Sequence, residues 1–234
     1  MEIEMKKLLL IIIFSLFASI KAYALNEANF QNLSKLAVKF NAVNLAEKAT
    51  IKDYSKIFYC EIYTKYYNNE LEWAKIEKAM KATMIEEVKN FPLTLYYDST
   101  VDITKYDVLS KGFNLTKANE MHRLGVFDLY FTVDNICGYS VIGNTFYSNY
   151  QIVLENPITL SFLPTSEEFA KKVIKNIAVN DEENRSVYVR FYFTVNKFNP
   201  TKNKTFKLIA KLDKVDFFAD AEKKEPFYTY ISNN

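Results

Sequence analysis

An α+β fold, with an N-terminal helical section packed on an antiparallel β-sheet, one later helix and a C-terminal β-hairpin, is what this sequence predicts. Three observations carry the expectation. Apolar residues recur at helical spacing between residues 26 and 90, and the period changes to two after Pro92. Strict alternation over Val187–Val195 and again over Phe206–Leu212 marks two strands able to bury one face each. The chain of 234 residues is 49% hydrophobic and 25% charged with only 4 Gly and 5 Pro, which excludes extended disorder and collagen-like or linker-rich architectures.

Taken in order, the chain opens with Lys6-Lys7, an apolar run Leu8–Phe17, and Ala22-Tyr23-Ala24. Basic flank, apolar stretch and an Ala-x-Ala ending are the three parts of a secretory signal peptide, so residues 1–24 are expected to be cleaved, with Ala22 and Ala24 filling the selective subsites of the peptidase. The competing reading, a membrane anchor, meets a run only about half of the roughly 20 apolar residues needed to span a bilayer. Met5 is an alternative start, since it places the basic pair at the head. Removal of the leader takes three lysines and two acids, and leaves the rest essentially neutral, without a second run long enough to span a membrane.

Residues 25–234 are expected to form one α+β domain, with a sub-boundary near residue 92 as the alternative. Phe30, Leu33, Ala37 and Phe40 recur at helical spacing; after a break at residues 41–50, a helix is expected over Asp53–Tyr67 and another over Glu70–Lys89. Pro92 ends the last, because the residue before proline avoids helical geometry. Strands are expected at Leu93–Tyr97 and Val101–Lys105 around an Asp98-Ser99-Thr100 turn, then a short helix opening at Thr116, then strands at Phe127–Val133, Gln151–Glu155 and Ile158–Leu163. Thr165-Ser166-Glu167-Glu168 reads as a capping box that starts the later helix, with Phe169, Val173, Ile174 and Ile177 facing inward. In the final hairpin a turn at Asn199–Lys202 places Phe193 opposite Leu208 and Phe191 opposite Ala210, and a bulge near Asp213 accounts for a slip in the alternation. Phe227–Tyr230 is expected to add an edge strand.

The chemistry within reach is narrow. A formal charge of +2 is too near neutral for a protein whose task is to neutralise phosphates, and nucleic-acid binding is set aside. His122 is the single histidine, so triad chemistry and His/Cys zinc sites lack material; no dinucleotide, phosphate-loop or nucleophile-elbow motif occurs, and no cofactor is expected. Paired carboxylates (Asp98 with Asp102, Asp128 with Asp134, Asp213 with Asp216) are the acid/base material that remains. Cys60 and Cys137 either form a disulfide, as export to an oxidising compartment permits, or stay as two buried thiols. The 17 Tyr and 19 Phe stand out. Tyr63, Tyr67, Tyr188 and Tyr192 are the candidate interaction surface, because tyrosine joins a large apolar area to a polar tip; the bland alternative is a thick aromatic core with tyrosine at its boundary.

Through Tyr106-Asp107 to Phe113-x-Leu115, then Leu163-Pro164-Thr165 before a helix, then the strand Arg185–Val195, the chain resembles a family of exported bacterial proteins of unknown function, over residues 50–220. It departs from that family in carrying Asn114 between Phe113 and Leu115, where the family has proline. The resemblance implies a secreted or periplasmic home and carries over no functional residue. The expectation is therefore an exported soluble binding or structural module of the bacterial envelope, contacting another envelope protein or a cell-wall or sugar ligand. An envelope hydrolase using paired carboxylates, and a holder of a small apolar ligand, are the alternatives.

Overall fold

The structure, a computed structural model, describes residues 25–116, 125–131, 137–138, 145–156, 158, 160–176, 185–201 and 203–232. Its elements run β1 (Asn26–Glu27), α1 (Phe30–Lys39), α2 (Lys48–Phe58), α3 (Cys60–Tyr66), α4 (Glu70–Lys89), β2 (Thr94–Asp107), β3 (Gly112–Leu115), β4 (Val126–Tyr130), β5 (Asn149–Leu154), β6 (Phe162–Pro164), α5 (Glu167–Asn176), β7 (Arg185–Pro200), β8 (Thr205–Phe218) and β9 (Pro226–Ile231). The expected signal peptide with Ala22 and Ala24, the expected helix after Thr116, and His122 lie outside the described residues.

The strands form one nine-stranded sheet, ordered β4-β5-β8-β7-β2-β3-β6, with β1 on β2 and β9 on β8. The sheet is mixed, which corrects the antiparallel expectation: β1 runs parallel to β2, and β5 parallel to β8. Parallel neighbours require a crossover rather than a tight turn. Here the chain leaves β5, passes through β6, α5 and β7, and returns to lay β8 beside it. The long strands share their free edges between partners. β8 pairs β5 through Thr205–Ala210 and β9 through Lys214–Phe218, while β2 takes β1 at Leu95–Tyr96 and β3 nearer its end.

Alternation places Val187, Val189, Phe191, Phe193 and Val195 of β7, with Leu95, Val101 and Ile103 of β2 and Phe206, Leu208, Ala210 and Leu212 of β8, on the buried face. The sheet curls over that face. The Phe127 ring on β4 lies 4.8 Å from Phe191 on β7 and 6.2 Å from Tyr97 on β2, although three and four strand positions separate them. Helix α1 lies against the remaining opening, with Phe30 meeting Tyr150 edge-on at 6.5 Å and Phe40 stacking on Phe198 at 6.2 Å. Asn29 caps α1 by accepting from the Asn32 amide. At its other end Lys39 donates to the Lys89 and Phe91 carbonyls, tying the C-termini of α1 and α4 together where β2 begins.

Several expectations are corrected. Asp98-Ser99-Thr100 does not turn, since β2 runs through it with Asp98 opposite Arg190, an opposite-charge pair that keeps a polar triplet in the sheet. The helix expected over Asp53–Tyr67 starts at Lys48 and breaks at Tyr59, whose φ of −134° and ψ of 47° leave helical geometry. Strand β7 runs on to Pro200, so Phe193 faces Leu212 rather than Leu208, and Phe191 faces Val215 rather than Ala210. Register shifts at Asn196 and at Asp213 keep both apolar sets on one face. Ser166, not Thr165, caps α5 by accepting from the Phe169 amide, and the Thr165 hydroxyl is buried without a partner.

Gly112 has no room for a side chain. A Cβ there would sit 2.3 Å from the Phe162 ring and 2.4 Å from the Leu163 carbonyl oxygen, across the β3–β6 pairing. Gly112→Ala is expected to lower stability by about 1–3 kcal/mol, as overpacking does; a denaturant midpoint unchanged from the parent would contradict that close approach.

Candidate functional site

Two sets of aromatic and charged side chains come together, one among the helices and one on the outer face of the sheet. The first arises because Tyr67–Asn69 turns the chain sharply. Asn69 caps α4 by accepting from the Glu72 amide, and α4 then runs back past α3 and α2. Tyr63 and Tyr67, one helical turn apart, stack at 4.5 Å. Trp73, in the first turn of α4, meets both edge-on, at 5.5 Å from Tyr63 and 5.4 Å from Tyr67. Lys52 on α2 donates to the Tyr67 hydroxyl at 2.5 Å and lies 4.4 Å from its ring centre. That ammonium holds the Tyr67 phenol below its ordinary range.

The Tyr67 and Trp73 rings line a groove of about 750 Å³ between α2 and α4. Lys48 and Lys52 stand on one wall and Glu70 and Glu77 on the other, with Tyr67 and Trp73 between and Asn68 at the end. Tyr63 is 1% exposed, which corrects its expected place on a surface: α4 folds back over it, and Tyr67 and Trp73 cover its ring. Tyr67 is half-buried, with its neighbours in the groove. Periodicity alone places Trp73 on the apolar stripe of α4 and Glu77 on its outer face, paired with Lys81, and singles out none of Lys48, Lys52 and Glu70. The signal available was spacing, since residues 70, 73 and 77 share one helical face and residues 48 and 52 share another.

Tyr188 and Tyr192 lie in the second set, on the polar face of β7. Arg190 between them makes a two-pronged ion pair with Asp98 of β2 (2.7 and 2.9 Å) and lies 4.3 Å from the Tyr96 ring centre. Lys223, from the β8–β9 connection, reaches the same Asp98 at 2.7 Å, so that connection passes over the sheet's outer face. Asp216 accepts from Lys214 and Thr229, each at 2.7 Å, and Lys214 lies 4.2 Å from the Tyr192 ring centre. Burial, then the hydrogen bond to Asp216, push the Tyr192 phenol up to about 12. Burial alone would raise the Asp98 and Asp216 carboxyls, but the cations and hydroxyls facing them outweigh it and hold both below the ordinary value of 3.8. This face is closed by its own pairs. The helical groove is open.

Cys60 at the start of α3 and Cys137 in the β4–β5 connection are joined by a disulfide across 77 residues, with Cα atoms 5.2 Å apart. The bridge fastens the α2–α3 corner to the sheet. A third concavity, about 580 Å³ between α5 and the β2–β3 turn, is lined by Tyr106, Val108, Ala170 and Ile174 with Lys111 and Lys171. Among the described residues no group of His, Cys, Asp or Glu side chains is placed to hold a metal ion, and no helix is long and apolar enough to cross a membrane.

Residues 47–176 match a domain of unknown function, DUF4852. No curated protein and no solved structure matches the chain. The matched span contains every residue of the helical groove, whereas Arg190, Lys214, Asp216 and Lys223 of the sheet face lie beyond it.

Because the Asp98 and Asp216 carboxyls are lowered, the stability they contribute is complete above the unfolded-chain value of 3.8 and is lost as pH falls through their folded-state values. An Asp98→Asn plus Asp216→Asn protein is expected to be less stable than the parent at neutral pH, yet to lose less stability between about pH 5 and about pH 2.5. Denaturant midpoints across that range test this; acid limbs of equal slope would show the pairs to be without consequence. Separately, replacing both cysteines by serine is expected to lower stability by about 2–4 kcal/mol, as loss of a bridge closing a long loop does, read from the same midpoints.

Proposed function

The chain belongs to the DUF4852 family, domains of unknown function, and from that premise we propose that it is an exported, non-catalytic binding module of the bacterial envelope, with the α2–α4 groove as its binding site. The observation that carries the reading is the Tyr63–Tyr67–Trp73 cluster, which holds two partly exposed rings in fixed positions at the bottom of a groove with charged walls. Rings already held in place lose little freedom when a ligand covers them, so more of the contact energy appears as affinity.

Export is supported by the three-part pattern over Lys6–Ala24 and by the Cys60–Cys137 bridge, since disulfides persist in oxidising compartments. The non-catalytic reading is supported at two of the candidate paired carboxylates: a general acid at neutral pH needs a raised pKa, whereas Asp98 and Asp216 are each held below their ordinary values by the cations facing them.

The test is fractionation of tagged protein from a two-membrane bacterium, with intact-mass analysis and a photo-crosslinker placed at Tyr67 or, as a remote control, at the exposed Tyr130 of β4. Recovery from the periplasm with a mass beginning at Leu25, cysteines resistant to alkylation until reduced, and an adduct at Tyr67 alone is the expected result. Cytoplasmic recovery with the leader intact would sink export. Equal capture at both positions would sink the groove.

A further inference from the structure

We propose that the α2–α4 groove takes an uncharged sugar ring of an oligosaccharide, its apolar face laid on Trp73 with Tyr67 at its edge, and its hydroxyls hydrogen-bonded between the lysine wall and the carboxylate wall. This rests on the preceding reading of the groove as a binding site and names the class of ligand.

The ring floor supplies the first half of the argument. Tyr67 is fixed on one side by its 4.5 Å stack on the buried Tyr63 and at its hydroxyl by Lys52. Trp73 is fixed by edge contacts to both tyrosines. The Tyr67 and Trp73 rings stand 78° apart and so form a corner; the pre-set face of Trp73 matches the C–H face of a pyranose, which is apolar although its rim is not, while Tyr67 meets the sugar's edge.

The walls supply the second half. Lys48 and Lys52 donate, Glu70 and Glu77 accept, and Asn68 does both. The side chains of Lys48, Glu70 and Glu77 are in no hydrogen bond or ion pair among the described residues, so they remain available to a ligand. A hydroxyl is both donor and acceptor and is satisfied between such walls. The formal charge of the four side chains cancels. An anion drawn by the lysines meets Glu70 and Glu77, and a cation drawn by the rings and carboxylates meets Lys48 and Lys52. An apolar ligand would strip water from four charged groups without replacing their hydrogen bonds, which is strongly unfavourable. A small zwitterion fits less well, because the acceptors are strung along the groove: Glu70 and Glu77 are two helical turns apart, about 10 Å along α4. That spread suits a row of hydroxyls rather than one ammonium.

Trp73 is the only tryptophan in the sequence, so its emission reports the groove directly. The mature chain is titrated with N-acetylglucosamine tetramer and with cellotetraose as neutral probes. Glucosamine tetramer (cationic), tetragalacturonate (anionic) and the dipeptide Ala-Ala (zwitterionic) are the charged probes. A saturable change with at least one neutral tetramer, at least tenfold weaker with every charged probe, is expected. Glu70→Ala plus Glu77→Ala, chosen because both side chains are at the groove's rim, is expected to weaken the neutral probe at least tenfold while its thermal midpoint stays at the parent's. Trp73→Phe, followed by calorimetry, is expected to retain binding, since a ring remains. No change with either neutral tetramer, preference for a charged probe, or undiminished affinity in the double variant would overturn the sugar assignment. Position-specific capture of a protein at Tyr67 alongside silent sugar titrations would overturn this inference while leaving the groove as a binding site.

Discussion

The antiparallel pairing of β7 with β8 is the constraint on which the rest of the molecule depends. Both strands are long, both keep an apolar set on one face over their whole length, and register shifts at Asn196 and Asp213 restore that face wherever the local count would reverse it. A one-residue slip without those shifts would send Phe191 or Phe217 to the outer face. Because β8 is longer than β5 or β9, its far edge serves β5 at one end and β9 at the other. Because β7 is longer still, it carries ten residues of β2 and so fixes where the helical section joins the sheet.

The two faces of that sheet are built by opposite physics. Inside, curl brings the rings of β4 over β7 and β2, and the opening left by the curl is closed by α1. Outside, charge pairs are set against aromatic rings: Arg190 between Asp98 and Tyr96, Lys214 between Asp216 and Tyr192, and Lys223 brought across from the β8–β9 connection. A half-buried carboxylate with one cation is marginal, but one that accepts from two or three donors is held ionised. The outer tyrosines are thereby used within the structure, whereas the helical groove leaves aromatic surface and charged side chains facing solvent together. The disulfide, at the head of α3, holds the α2–α3 corner to the β4–β5 connection.

Much of this was legible from spacing. The helices α1 and α4, the strands β4, β5 and β9, and the apolar faces of β7 and β8 follow from periodicity, because a side chain's face is decided by its position number modulo 3.6 or 2. The Asp213 bulge was visible as a slip in the alternation. What misled was local polarity. Asp98-Ser99-Thr100 has turn composition, and Arg190 on the neighbouring strand together with Lys223 makes an aspartate acceptable in mid-strand. The break at Tyr59 carries no Gly or Pro to announce it, and β7 runs past Asn199 because Pro200 is tolerated at the strand's end, opposite Phe206.

The sequence by itself determined the class of the fold, the order of most elements, the face each presents to the core and the narrowness of the available chemistry, since these depend on composition and on neighbours a few residues apart. Tertiary structure decided which strands run parallel, the hairpin register, which tyrosines are covered, and the meeting of Lys48 and Lys52 with Glu70, Trp73 and Glu77. Those outcomes turn on contacts between residues distant in the chain. A pattern of spacing says which way a side chain points from its own element, but not which element will be standing opposite.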